Sequence, residues 1–288
     1  MKLLVMAALA ASTLVGAPPE ADYWRVETIH SRVHPHQVGS GYWVREKNVA
    51  VEWLTPQGKA WSAYRPLGAH PASKADEAAW KADGSPKSWT YRTEGMKITL
   101  STEPGKGTLG PAKGRPDGFQ LVEKYVTYAQ LQDLPAEPAA LKARVVADLR
   151  AWMAEAAEEA KTTSPGSKVE DWTAQLDRYT AGSLARLLVD NPVPKPVRAA
   201  AYQALRTVTK DLGPGRDLLG RSGRLLALPV LDRKGTVLKQ EVLVDTTAML
   251  LLEQRTATTV GGKPVTAKSG VETYKAGWTD ARPALPTG

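Results

Sequence analysis

Leu225–Arg255 reads LLALPVLDRKGTVLKQEVLVDTTAMLLLEQR. Three short runs rich in Leu and Val are separated by turn-forming residues. Leu225–Leu231, Val237–Val244 and Met249–Arg255 are therefore expected to be strands. Asp232-Arg233-Lys234-Gly235 and Asp245-Thr246-Thr247 supply the turns, because Asp bonds its own backbone at a turn's start and Gly adopts φ > 0 without strain. A meander of this kind forms part of an antiparallel sheet, which must then find something to cover its apolar face.

Working back towards the N-terminus, residues 22–125 are also strand-like. Val49, Val51 and Trp53 fall on one face of Gly41–Leu54, with Ala50, Glu52 and Leu54 on the other. Thr55-Pro56-Gln57-Gly58 is a turn, and Ala60–Arg65 returns as the partner strand. Residues 66–88 read as a surface excursion with a short helix near Ala75–Lys81. Trp89–Thr93 and Lys97–Ser101 form a hairpin around Glu94-Gly95, and the Gly- and Pro-rich stretch Glu103–Gly118 reads as loop.

Residues 127–212 have the helical period. Thr127 caps a short helix, and Pro138 opens a longer one to about Lys161 with Leu141, Val145, Leu149 and Trp152 on its apolar stripe. Ser164-Pro165-Gly166 breaks it. A further helix begins near Glu170 and carries Trp172, Leu176 and Tyr179. The last, Val197–Val208, follows the connector Asn191–Pro196, and Gly213-Pro214-Gly215 ends the zone. Residues 218–280 complete the strands with Glu272–Trp278, leaving a Pro-rich tail expected to fray from Arg282.

Strands, helices and strands again give an α+β class: a curved antiparallel β-sheet, half-barrel-like, with the helical middle segment packed against one face. One sheet built from both ends buries more apolar area and leaves fewer edges than two independent units. The domain expectation is therefore a signal peptide over residues 1–17 and a single domain over 18–288. Met1–Ala17 has the thin positive start, apolar centre and small-residue end of an export signal, cleaved after Ala17 or kept as an uncleaved anchor, and either way the chain is expected outside the cytoplasm, secreted or envelope-associated.

The chain of 288 residues contains no cysteine, which excludes disulfides, thiolate metal sites and a catalytic thiol. Its net charge of +8 is scattered, with neither a basic stripe nor a nucleic-acid-binding motif, so no nucleic-acid partner is expected. No nucleophile–base set appears. Gly105–Gly110 matches G-x-G-x-x-G, but Pro111, Gly114 and Pro116 follow where a dinucleotide site needs a helix. His30, His34 and His36 lack a second ligand cluster and read as a solvated loop; Glu155, Glu158 and Glu159 read as a solvated helix face. No catalytic residue, metal or cofactor is assigned.

What stands out is nine Trp against a single Phe, with six of the Trp before residue 90. Trp43, Trp53 and Trp61 are the candidate ligand-binding residues, lining an apolar cavity on the concave, helix-covered sheet face. The competing reading makes them core packing between sheet and helices.

Several stretches carry a family resemblance. LQDLPAEPAALKARV (131–145), VPKPVRAAAYQAL (193–205), LLGRSGR (218–224), LVDTTAMLLLEQR (243–255) and YKAGWTD (274–280) resemble an uncharacterised actinobacterial family of exported or membrane-anchored proteins. Tyr23-Trp24, WLTPQGKAW (53–61) and LSTEPGKGTL (100–109) fit the same family. Members are often encoded beside extracytoplasmic-function sigma factors, and the family distantly resembles the curved-sheet fold of lipoprotein carriers and anti-sigma sensor domains. The Trp-rich sheet behind an export signal, with no catalytic set, points to a non-enzymatic envelope protein that binds a lipid or other apolar small molecule. The sigma-factor association implies envelope sensing, and the alternative is a regulator that contacts a membrane anti-sigma factor through its exposed helices and the connector Asn191–Pro196.

Overall fold

The computed structural model describes residues 18–93, 95–163 and 175–287. Four expectations lie wholly or partly outside them: the signal Met1–Ala17, the hairpin residue Glu94, the Ser164-Pro165-Gly166 break and the helix start at Glu170–Trp172. Among the described residues there are fifteen strands and five helices. The first strands are β1 (Tyr23–Val33), β2 (Val44–Leu54) and β3 (Ala60–Pro71), followed by α1 (Lys74–Ala82), β4 (Ser88–Thr93) and β5 (Met96–Ser101). Next come β6 (Thr108–Pro111), β7 (Phe119–Leu121), β8 (Lys124–Val126) and the helices α2 (Tyr128–Gln132), α3 (Pro138–Thr163), α4 (Leu176–Arg186) and α5 (Lys195–Arg206). The chain closes with β9 (Lys210–Arg216), β10 (Ser222–Ala227), β11 (Leu231–Arg233), β12 (Thr236–Asp245), β13 (Leu250–Val260), β14 (Lys263–Pro264) and β15 (Gly270–Thr279).

Eleven strands form one antiparallel sheet in the order β6-β3-β2-β1-β15-β13-β12-β10-β9, with β11 on β12 and β14 on β13. It is α+β and open, not closed into a barrel. The seam is the β1–β15 pair, where Tyr23 lies opposite Thr279 and Ser31 opposite Val271. The two ends of the chain thus build one sheet.

Side-chain parity sorts its faces. Trp24, Val26, Leu54, Leu226, Val242, Val244 and Tyr274 point inward and pack against Leu141, Val145 and Leu149 of α3, Leu184 of α4 and Val197, Ala201 and Leu205 of α5. Val49, Val51, Trp53 and Ala63 form a separate cluster on the outer face. A third, Val38, Tyr42, Val44, Ala69 and Trp89, lies where α1 and the β4–β5 hairpin meet the sheet.

Local chemistry explains most boundaries. Thr127 and Gln130 make a reciprocal capping box at α2. The Glu137 carboxylate accepts from the N–H groups of Ala139 and Ala140 at the start of α3, which holds its pKa below the ordinary value. Asp245 accepts from Thr247 and Ala248 at 2.7 and 2.9 Å, as the turn reading requires.

The structure corrects several expectations. The first meander strand is interrupted at Leu228-Pro229-Val230, because Pro229 has no N–H to give the ladder. The turn after it tightens to Lys234-Gly235, both at positive φ, the geometry that matches hairpin twist. Gly213-Pro214-Gly215 does not end the zone: it lies within β9, an edge strand, where a Pro is tolerated. Residues 66–71 continue β3, and the stretch Glu103–Gly118 supplies β6, the opposite edge. Met153, rather than Trp152, completes the buried stripe of α3.

The tail does not fray at Arg282. Asp280 Oδ1 accepts from Asp22 N, and Arg65 Nη1 donates to the carbonyl of Pro286 at 3.2 Å. Beside Arg65, Pro286 is buried.

Candidate functional site

The inner face changes character along its strands. At one end the inward positions are Trp24, Leu54 and Trp278, under the helices. Towards the other end the same parity on β1, β2 and β15 brings His30 opposite Asn48 and Glu272. There an open cleft of about 500 Å³ is lined by His30, Arg32, Asn48, Tyr64, Lys268 and Glu272.

Tyr274 marks the boundary. It is buried, and its hydroxyl donates to the Glu272 carboxylate, whose other oxygen lies 3.3 Å from His30 Nδ1. The bond to His30, with that from Tyr274, holds Glu272 below the usual carboxylate range; burial pushes the Tyr274 phenol well up. Phenol, carboxylate and imidazole thus form a bonded row leading from the core into the cleft.

A second cleft of about 350 Å³ runs beside α4, with Arg178, Gly182 and Arg186 on one rim and Gln120–Glu123 on the other. The i, i+4, i+8 spacing of the first three puts them on one helix face. Arg178 is held by Pro229 O at 2.8 Å and Gln240 Oε1 at 2.5 Å, and Arg186 is paired with Asp190.

Burial, offset in part by Arg186, pushes Asp190 up to about 6 from 3.8. A raised carboxylate pKa means that the folded state binds the proton more tightly than the unfolded chain. The stabilisation is fully present below 3.8 and is lost as pH rises through about 6. Asp190→Asn is therefore expected to raise stability at neutral pH by about 1 to 3 kcal/mol and to flatten the wild-type rise in stability between about pH 6 and 4. Urea titrations at both pH values check this; a variant less stable than wild type at neutral pH overturns it.

The three Trp expected to line the helix-covered face are not gathered there. Trp53 and Trp61 are direct cross-strand partners, but on the outer face. Leu54, one residue on, takes the inward position: the period-two pattern was correct and its facing was inverted. Trp53 is 3% exposed, with the Arg25 guanidinium 5.7 Å from its ring centroid, and Trp61 meets Tyr23 edge to face at 6.0 Å. Trp43 lies just before β2, ten residues from Trp53, and its backbone N–H donates to Asp76 Oδ1 at 2.9 Å.

Nor do His30 and His34 belong to a solvated loop. His30 lies in β1, and His34 is buried with Nδ1 on Glu46 and Nε2 on the Tyr91 hydroxyl; His36 is exposed. Sequence reasoning missed Glu272, Tyr274, Arg186 and Asp190. Continuing the period-two count from Trp24 through His30 would have found the inward position of His30; nothing local marks the other four.

Among the described residues no group of three or more His, Cys, Asp or Glu is placed to hold a metal, and no helix is long and apolar enough to cross a membrane. Compared with protein-family models, curated proteins and solved structures, the chain matches none.

Proposed function

We propose that the protein is a non-enzymatic, exported binding protein of the cell envelope that takes an amphiphilic small molecule at the open end of its inner sheet face. The observation carrying this reading is the switch from Trp24, Leu54 and Trp278 to His30, Asn48 and Glu272 beside an uncovered cleft. The filled end of the face gives rigidity. The open end offers Arg32, Lys268 and His30 to a polar or anionic head, and the Tyr64 ring to an apolar body. The bonded row Tyr274–Glu272–His30 fixes the floor before a ligand arrives, which lowers the ordering cost of binding.

Titration with a fluorescent fatty acid tests this. His30→Ala with Tyr64→Ala is expected to weaken binding at least tenfold, or about 1.4 kcal/mol. Trp53→Ala, on the outer face, should leave affinity unchanged. Equal affinity of the double variant and wild type would falsify the inner-face site, and loss of binding in Trp53→Ala alone would move it to the outer face.

A further inference from the structure

The turn Asp217–Arg221 joins the edge strand β9 to β10, and its tip carries Leu218 and Leu219, 60% and 47% exposed. Two adjacent leucines in water are unfavourable, and a mobile turn would fold them back onto the sheet. This one is held out. All five of its backbone N–H groups are bonded within the protein. Asp217 N donates to Arg221 O at 3.0 Å and Gly220 N to Asp217 O at 3.0 Å. Leu219 N and Arg221 N both donate to Asp217 Oδ1, at 2.9 and 2.7 Å. Leu218 N donates to Glu253 Oε2 at 2.8 Å.

The two carboxylates are fixed in turn. Asp217 Oδ2 accepts from Arg221 Nε at 2.6 Å, and Arg221 Nη2 continues to the Tyr274 carbonyl at 2.7 Å. Arg255 bonds Glu253 Oε1 at 2.7 Å and the Arg216 carbonyl at 2.8 Å. The Gly220 carbonyl accepts from Arg216 Nη1.

We infer that this turn is a membrane-contact element, inserting Leu218 and Leu219 into the interface of an anionic lipid surface. A lipid interior supplies no acceptors for backbone N–H groups, so a loop that enters it must satisfy them beforehand. A protein partner imposes no such demand and would favour a groove or a flat patch over a two-residue tip. The charge around the tip agrees: Arg221 and Arg255 stand against the two carboxylates Asp217 and Glu253, and Arg216 is exposed, where anionic headgroups attract it.

The cysteine-free chain allows one label at the tip. Leu219→Cys in the full chain, carrying a nitrobenzoxadiazole group, should brighten and shift to the blue on vesicles of phosphatidylcholine with phosphatidylglycerol, and less on phosphatidylcholine alone. In co-sedimentation, L218S/L219S should bind the mixed vesicles at least about tenfold more weakly than wild type, while L218I/L219I keeps wild-type binding. Both variants should melt with wild type, since the side chains they change are exposed. An unchanged label spectrum, or equal sedimentation of L218S/L219S and wild type, overturns the inference. If L218S/L219S melts lower, the label spectrum alone decides.

Discussion

Trp24→Ala is expected to lower the unfolding free energy by about 3 to 5 kcal/mol, the range for removing a large aromatic ring from a closed core. Trp24 is 2% exposed and sits at the seam between the two ends of the chain. Its ring meets Trp278 of β15 edge to face at 5.8 Å, and Trp278 meets Tyr128 of α2 in the same way at 6.0 Å. Its indole N–H donates to the Val189 carbonyl at 3.1 Å, just beyond α4. The substitution therefore removes apolar volume and leaves a buried carbonyl without its donor, and both effects act in the same direction. Urea unfolding followed by far-UV circular dichroism measures the loss. A change below about 1 kcal/mol would show that the ring does not sit in a closed core.

The second large effect is expected from Arg221→Ala. Asp217, with a fully buried carboxylate, would lose the guanidinium that faces it, and two backbone carbonyls would lose a donor. Breaking a buried pair from one side costs about 3 to 5 kcal/mol, because the remaining charge stays in a poor solvent. Arg144→Ala is the internal comparison. Its partner Asp148 is four residues along α3 and the Arg144 side chain is half exposed, so a change within about 0.5 kcal/mol is expected. Similar losses for the two variants, read from thermal melts, would show that the Asp217 site is wetter than its geometry implies.

Period and composition carried the class of fold. The apolar runs and turns of Leu225–Arg255, the alternation in Gly41–Leu54 and the helical stripe of Leu141, Val145 and Leu149 are local signals, and they reappear as strands and helix. What sequence could not supply was facing. Val49, Val51 and Trp53 are as apolar as Leu54 and Trp24, and nothing local says which set meets the helices. The edge strands β6 and β9 were hidden by Gly and Pro, which weaken the strand signal where an edge tolerates them. The cleft was least legible. Glu272 and Tyr274 lie more than two hundred residues from His30, and only the β1–β15 register makes them neighbours.

That register also orders events in time. Of the fifteen described strands, β15 is the last in sequence, yet it lies in the middle of the sheet between β1 and β13. Until it emerges, the strands from each end are separate ribbons with raw edges, and neither can complete the core beneath Trp24. Pairings of such long sequence separation form slowly. The strands on either side of it therefore stay uncommitted until β15 is made, and this sheet closes in one step rather than strand by strand in sequence order.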